Sequence, residues 1–473
     1  MDLTNYLLMK PELSLIAVFL ILIIYDLFAS EGAKKYYFPV ACLLFLAHTV
    51  YCFFIKDEGT SFAGMYVAGP TVLTMKWVLN IGTFLIMLQA NEWLNKAESI
   101  MKRGEFFMLV ILTLLGMYLM ISSGNFLLFF IGLETASLPM AALVAFDKYK
   151  HQSAEAGAKY IFNAIFSSTL VAFGLSFVYG ACGTLYFDDL FRTIYSTPLI
   201  IMAMIFFLSG LFFKISIVPF HLWAPDTYQG APTNVTLYLS TISKGAAVFA
   251  LVLILYKVFP FLSDTWVPVI WVLTLITITV GNLFALRQKN MKRFLAFSSI
   301  SQAGYIMLGV FSGTSTGMSA TIFYVFVYLF SNLAAFGVIS SIENKTGKVN
   351  MDDYNGLYYS NPKLALVMMI AMFSLGGIPP TAGFFSKLFV FIAAMEQGHV
   401  VLVFLALLNT VISLFYYLLV VKAMFIKKAD TPIQPFQTDS YLKTSLAISV
   451  VGMFFVGIIN CFYEYIHSVS FGI

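Results

Sequence analysis

The sequence predicts an all-α integral membrane protein of about fourteen transmembrane helices, with two inverted five-helix repeats and discontinuous helices 7 and 12. Three observations predict it. The chain is 60% hydrophobic and only 11% charged over 473 residues, where a soluble domain carries about 25% charged residues. Its basic residues fall in alternate loops between apolar runs. Clusters of glycine and proline interrupt two of those runs, each beside a lysine that has no short route to water.

Each element follows from an apolar stretch long enough to cross roughly 30 Å of hydrocarbon. The first three, near 12–28, 37–55 and 71–90, form an N-terminal group within 1–104. The opening MDLTNYLLMKPELSL has acidic residues and no small-residue cleavage site, so it reads as a retained helix. Spans near 105–122, 125–146, 154–180, 198–219 and 233–257 make the first repeat, 105–258. Those near 265–286, 293–312, 316–342, 363–395 and 399–426 make the second, 259–428. A last span near 442–466 lies in the C-terminal segment, 429–473. Most connections are short and rich in Gly, Asn, Ser or charge.

The positive-inside rule supports this order. Odd-numbered loops hold Lys34, Lys35, Lys96, Lys102, Arg103, Lys148, Lys150, Arg287, Lys289, Lys292, Arg293, Lys345, Lys348, Lys363, Lys427, Lys428 and Lys443. Even loops and the termini hold only Lys10, Lys56, Arg192 and Lys257. A miscounted helix in the middle scrambles such an asymmetry. An even count also puts both termini on the non-cytoplasmic side.

Several chemistries are not visible. Cys42, Cys52, Cys182 and Cys461 are scattered and form no zinc or iron–sulfur set. There is no Walker loop and no G-x-G-x-x-G after a strand. The net charge of +4 sits in loops between spans, which gives no reason to expect nucleic acid. His48 and His467 lack partners in sequence, and no spaced histidine pair suggests haem.

The charges left inside the spans carry the functional reading. Lys76, Lys159 and Lys422 lie near span ends, where long side chains reach the interface. Lys214, Lys244 and Lys387 do not, and Glu134 is the one acidic residue expected deep in a span. Each buried charge costs about 2.5–3.5 kcal/mol on insertion scales. Such residues therefore face one another, polar partners or a wet cavity. One carboxylate cannot neutralise three lysines. Burial and like charge disfavour an ammonium, so a lysine in this setting can accept and release a proton. The alternative is a set of static ion pairs joining helices.

Lys214 lies in GLFFKISIVPFHLWAPDTYQGAP and Lys387 in SLGGIPPTAGFFSKLF. Proline removes a donor and clashes with the preceding turn. Non-helical backbone at membrane depth survives only inside protein or beside water. Paired breaks near buried charges point to a transport site. His221, just past the first break, is a possible relay because imidazole titrates near neutral pH; a satisfied structural histidine is the alternative. Asp226 is placed to cap or pair nearby. Ser298, Ser299, Ser301 and Gln302 give the tenth span a polar stripe that suits water or a neighbouring helix.

At GLETASLPMAALVAF, KISIVPFHLWAPDTYQGAPT, LSTISKGAAVFAL, KRFLAFSSISQAGY and GGIPPTAGFFSKLFVF the chain resembles the antiporter-like subunits of proton-translocating NADH:quinone oxidoreductase, respiratory complex I. Lys387 and the Pro-Pro before it resemble the N type; the M type typically carries a glutamate there, and the L type is much longer. The resemblance implies a proton-pumping role. Glu134 would couple to Lys214, Lys244 would be the central lysine with His221 near the water path, and Lys387 would be the terminal one. It implies no cofactor in this subunit, with NADH, FMN, iron–sulfur clusters and quinone handled elsewhere in the complex. The implied partners are subunit M, the small subunits K and J, and the lipid bilayer of a bacterial inner (plasma) membrane. Many relatives have a histidine where this chain has Gln302, which cannot titrate. A subunit of a multi-subunit cation/proton antiporter is the competing reading.

Overall fold

A computed structural model describes residues 4–96, 98–428 and 432–473. Helices carry most of it, as the apolar composition requires: only a helix satisfies every backbone group within its own segment. One departure from all-α is a small antiparallel hairpin, Gly59–Ser61 with Tyr66–Ala68, in the loop after the second span.

Among the described residues twelve helices are long and apolar enough to cross a membrane. Two of the expected spans fall outside that set for different physical reasons. Met291–Val310 is continuous, but its serines and Gln302 make it polar. It is buried along almost its whole length, so protein partners replace lipid. The twelfth expected span, 363–395, is two short helices, Pro362–Gly376 and Ala382–Glu396. The break falls at Gly377, whose φ of +83° is favourable only for glycine.

The seventh expected span is broken as well. Pro198–Ile215 ends before a non-helical stretch, and Trp223–Gly230 resumes as a short helix. Thr233–Lys257 then crosses as one apolar element, with a single π turn over Leu239–Ser243. Helix ends are set by side chains of the expected kind. Asn125 accepts from the Leu127 amide, Asn290 from the Lys292 and Arg293 amides, and Asp439 from the Tyr441 amide.

The chain divides into two compact units. The first comprises described residues within 1–87, 93–214 and 242–265. Its tightest pairing joins Arg103–Ile121 to Phe126–Val144, where Gly116 and Gly132 let the two backbones touch. A Cβ on Gly116 would lie 2.3 Å from the Ala136 nitrogen, and one on Gly132 2.6 Å from the Met120 nitrogen. The second unit comprises 88–92, 215–241 and described residues within 266–473. Its centre is Ser315–Thr346, a helix of 32 residues buried along its apolar length. Gln89 bonds to it through the Leu333 carbonyl and to Ser445, at 2.9 and 3.1 Å.

Candidate functional site

In the first unit, Glu134 and Lys214 are near neighbours. Glu134 sits on Phe126–Val144 beside an apolar groove lined by Leu112, Phe130, Ile131, Thr135, Leu138 and Pro139. Pro139 cannot donate to the Thr135 carbonyl, which locally loosens the helix. Glu134 Oε1 is buried with no hydrogen-bond partner. The carboxylate is close enough for its charge to act on Lys214, yet the lysine's hydrogen bond goes to Ser137 Oγ. Ser137 lies three residues after Glu134, on the same helix face. Sequence reasoning missed this third member, although the spacing was readable. The pair is coupled through space and not locked by a direct contact.

Lys244 is also in the first unit and is buried. It opens an α-helical stretch, Lys244–Lys257, directly after the π turn. Such turns interrupt the regular ladder and often mark functional positions. The sequence placed Lys244 in mid-span, but nothing in it announced the π turn.

In the second unit, Lys387 lies on Ala382–Glu396 and points back at the break. Its Nζ donates to the carbonyls of Leu375 and Gly376, both at 3.0 Å. These carbonyls end a helix, so no intrahelical partner claims them. The third side of the amine faces the Tyr305 ring, 4.9 Å from its centroid. No ion pair engages Lys387 among the described residues. Neutral carbonyls accept from an ammonium and, more weakly, from an amine, so the cage tolerates both charge states. The break therefore supplies the lysine's ligands.

His221 is in the second unit too, in the non-helical stretch after Pro219. It is buried, and its Nδ1 has no hydrogen-bond partner. Asp226 pairs with Arg293 at 2.6 Å, and Arg293 also reaches Gln229 at 3.1 Å. Lys292, expected in a loop, is instead buried. It donates to Glu343 at 3.1 Å and to the Ala231 carbonyl at 3.2 Å. The polar stripe is fully engaged: Ser298 with Tyr417 at 2.5 Å, Ser301 with Asn282 at 2.6 Å, and Gln302 with the Leu375 carbonyl and Tyr417.

Further sequence expectations need correction. Glu134 is only half-buried and is not the most deeply placed carboxylate, and Lys76 does not reach the interface. Glu12 and Lys76 are both fully buried and form a salt bridge of 2.6 Å. Tyr66, on the small hairpin, donates to Glu12 at 2.9 Å and accepts from Lys76 at 3.1 Å. Starting the first span at residue 12 leaves Glu12 at its edge in the sequence, while in the structure the hairpin folds back over the pair. His48 and His467 also have partners. His48 contacts Ser14 at 2.8 Å and Tyr118 at 3.3 Å, and His467 contacts Ser319 at 3.2 Å. Among the described residues no group of three or more His, Cys, Asp or Glu could hold a metal ion.

Fold and site define a multi-pass membrane protein of the transporter type, with charged residues at broken spans. The family model described as NADH:quinone oxidoreductase/Mrp antiporter, transmembrane, matches residues 123–413. An NADH-quinone oxidoreductase subunit N of Azobacteroides pseudotrichonymphae is 52% identical over 100% of this chain and 99% of its own. One from Phocaeicola vulgatus is 54% identical, covering 98% of each. A chain in the structure of respiratory complex I from Thermus thermophilus with bound aureothin superposes with a TM-score of 0.79. It is 29% identical, over 95% of this chain and 97% of that one. The chain belongs to the NADH-quinone oxidoreductase subunit N family.

Proposed function

We propose that the chain is a proton-translocating membrane-arm subunit of an NADH-quinone oxidoreductase, coupling electron transfer to quinone with proton pumping through Glu134, Lys214, Lys244 and Lys387. The observation that carries this reading is the Lys387 cage. A buried lysine held by break carbonyls and no carboxylate can exchange its proton without leaving a buried countercharge behind. Glu134 supplies the control within the first unit, since its carboxylate acts on Lys214 and any displacement of it changes that interaction. His221 hands protons on beside the first break. The two breaks support two inverted repeats, 105–258 and 259–428, with 1–104 and 429–473 flanking them.

The subunit itself carries no redox group in this reading. NADH, FMN, iron–sulfur clusters and quinone belong to other subunits, and an antiporter-like subunit M with small subunits K and J are its neighbours. The setting is a bacterial inner membrane with both termini on the non-cytoplasmic side, as the loop charges suggest.

The test is Lys244→Ala in membrane vesicles, read as proton pumping, electron transfer to quinone and complex assembly. Pumping collapses while assembly survives. Unchanged redox-driven pumping overturns the relay. Co-purification of the chain with flavin and iron–sulfur subunits separates this reading from a cation/proton antiporter, which lacks them.

A further inference from the structure

Gln302 stands where a titratable relay would be useful, and it cannot titrate. Its surroundings assign it other work. The side chain is buried, and every polar valence but one is used. Nε2 donates to the Leu375 carbonyl at 3.0 Å and to the Tyr417 hydroxyl at 3.1 Å. Oε1 accepts from the Tyr324 hydroxyl. The amide orientation is fixed chemically, because a carbonyl can only accept. The Leu375 carbonyl is also one of the two that hold Lys387. One oxygen at the helix break thus accepts from both Gln302 and Lys387.

We infer that Gln302 is a positioning residue that governs proton exchange at Lys387 through the shared Leu375 carbonyl. A carbonyl has two lone pairs. Donation from Gln302 occupies one and pins the oxygen in place, so the lysine receives a divided acceptor. Without that donation the oxygen turns wholly to Lys387 and holds its ammonium more tightly, since bonds from a charged donor are the stronger ones. Gln302 is itself held from two further helices, by Tyr324 on Ser315–Thr346 and Tyr417 on Val400–Phe425. Movement of either helix therefore changes how the carbonyl is shared.

The titratable groups on the packed helices are few. Met291–Val310 carries Tyr305 and, in its first turn, Lys292 and Arg293. Ser315–Thr346 carries Tyr324 and Tyr328, with Glu343 and Lys345 near its end. Val400–Phe425 carries Tyr416, Tyr417 and Lys422. Pro362–Gly376 has only Lys363, and Ser440–Ile458 only Tyr441 and Lys443, all in first turns; Cys461–Val469, whose Tyr463 stacks on Phe389, also carries Glu464, Tyr465 and His467, the last bonded to Ser319, and Glu396 ends the lysine's own helix. Of these, Tyr305 faces Lys387, and Tyr324 and Tyr417 bond to Gln302.

The inference rests on the relay reading, and the test separates the two. Pumping per electron is measured against pH in vesicles containing the whole complex, for the wild type, Gln302→Met, Gln302→Leu, Gln302→Asn and Lys387→Ala. Gln302→Met keeps the volume and removes the donor. It moves the pH profile of pumping upward by about one unit, a roughly tenfold change in proton affinity. Gln302→Leu also cannot donate and moves the profile the same way. Gln302→Asn retains an amide N–H donor, adds no titrating group and stays closer to the wild-type profile. If Gln302→Met does not assemble, the Leu and Asn variants decide by the same contrast. Wild-type profiles in the Met or Leu variants, with Lys387→Ala inactive, overturn the role of Gln302 and leave the relay standing. Normal pumping in Lys387→Ala overturns both.

Discussion

Gly377→Ala is the sharpest perturbation of the Lys387 cage, because it acts from the backbone side without replacing a titratable group. Two costs follow from the geometry. The φ of +83° forces alanine into the left-handed region, at roughly 1–2 kcal/mol. The new Cβ would lie 3.0 Å from Lys387 Cδ and 3.5 Å from Nζ. Ordinary contact begins near 3.4 Å, so the lysine must retreat by a few tenths of an ångström. It sits 3.0 Å from both carbonyls, and retreat lengthens at least one bond. Losing one charge-assisted bond costs roughly 1.5–3 kcal/mol, or about ten- to a hundredfold in occupancy of the caged position. The assay is NADH-driven electron transfer and proton uptake in inverted vesicles, expressed as protons per electron. Gly347→Ala is the control. It has a φ of +70° and nothing within 4 Å of its Cβ, so it carries the strain alone. The expected result is a reduced ratio in Gly377→Ala and a normal one in Gly347→Ala. Equal ratios in the two variants refute the argument that the cage matters.

Two further predictions concern stability. Glu12→Gln breaks a fully buried pair and destabilises the subunit by roughly 3–5 kcal/mol, seen as a lower melting temperature of the purified complex; adding Lys76→Met recovers part of the loss, and pumping per assembled complex is unchanged in both. Gly132→Leu drives a Cβ to 2.6 Å from the Met120 nitrogen, so the paired helices must part by about 1 Å; the amount of subunit retained in the complex falls, and wild-type retention would mean that this crossing is softer than its backbone contacts imply.

The fold was legible because hydropathy and loop charge are one-dimensional properties. Residue-level partners were less so. Lys387 and its break were readable together, since Gly376–Pro380 lies about two to three turns before the lysine. The Leu375 and Gly376 carbonyls followed only once the chain turned back. Lys76 was misread because distance from a span end is a poor proxy for burial when a loop folds inward: the hairpin strand bearing Tyr66 closes over the pair. Ser137 was overlooked because attention went to charge, and Lys214 settled on a hydroxyl instead.

The buried lysines differ in the chemistry of what accepts from them, and that difference sorts structure from transport. Lys76 faces a carboxylate and a phenol, so removing its proton would strand a buried negative charge on Glu12. Lys292 is tied in the same manner to Glu343. Lys387 faces two carbonyls and a ring, neutral groups that leave no orphaned charge behind when the proton departs. The half-buried Lys214 is intermediate: it bonds to a hydroxyl but lies within the field of Glu134, whose charge its deprotonation would leave less compensated. The lysine best suited to release a proton is therefore the one with neutral acceptors alone, and a helix break supplies them to Lys387. On this argument the Gly-Gly-Ile-Pro-Pro run is part of the proton site itself, since a continuous helix would have consumed the carbonyls that Lys387 needs.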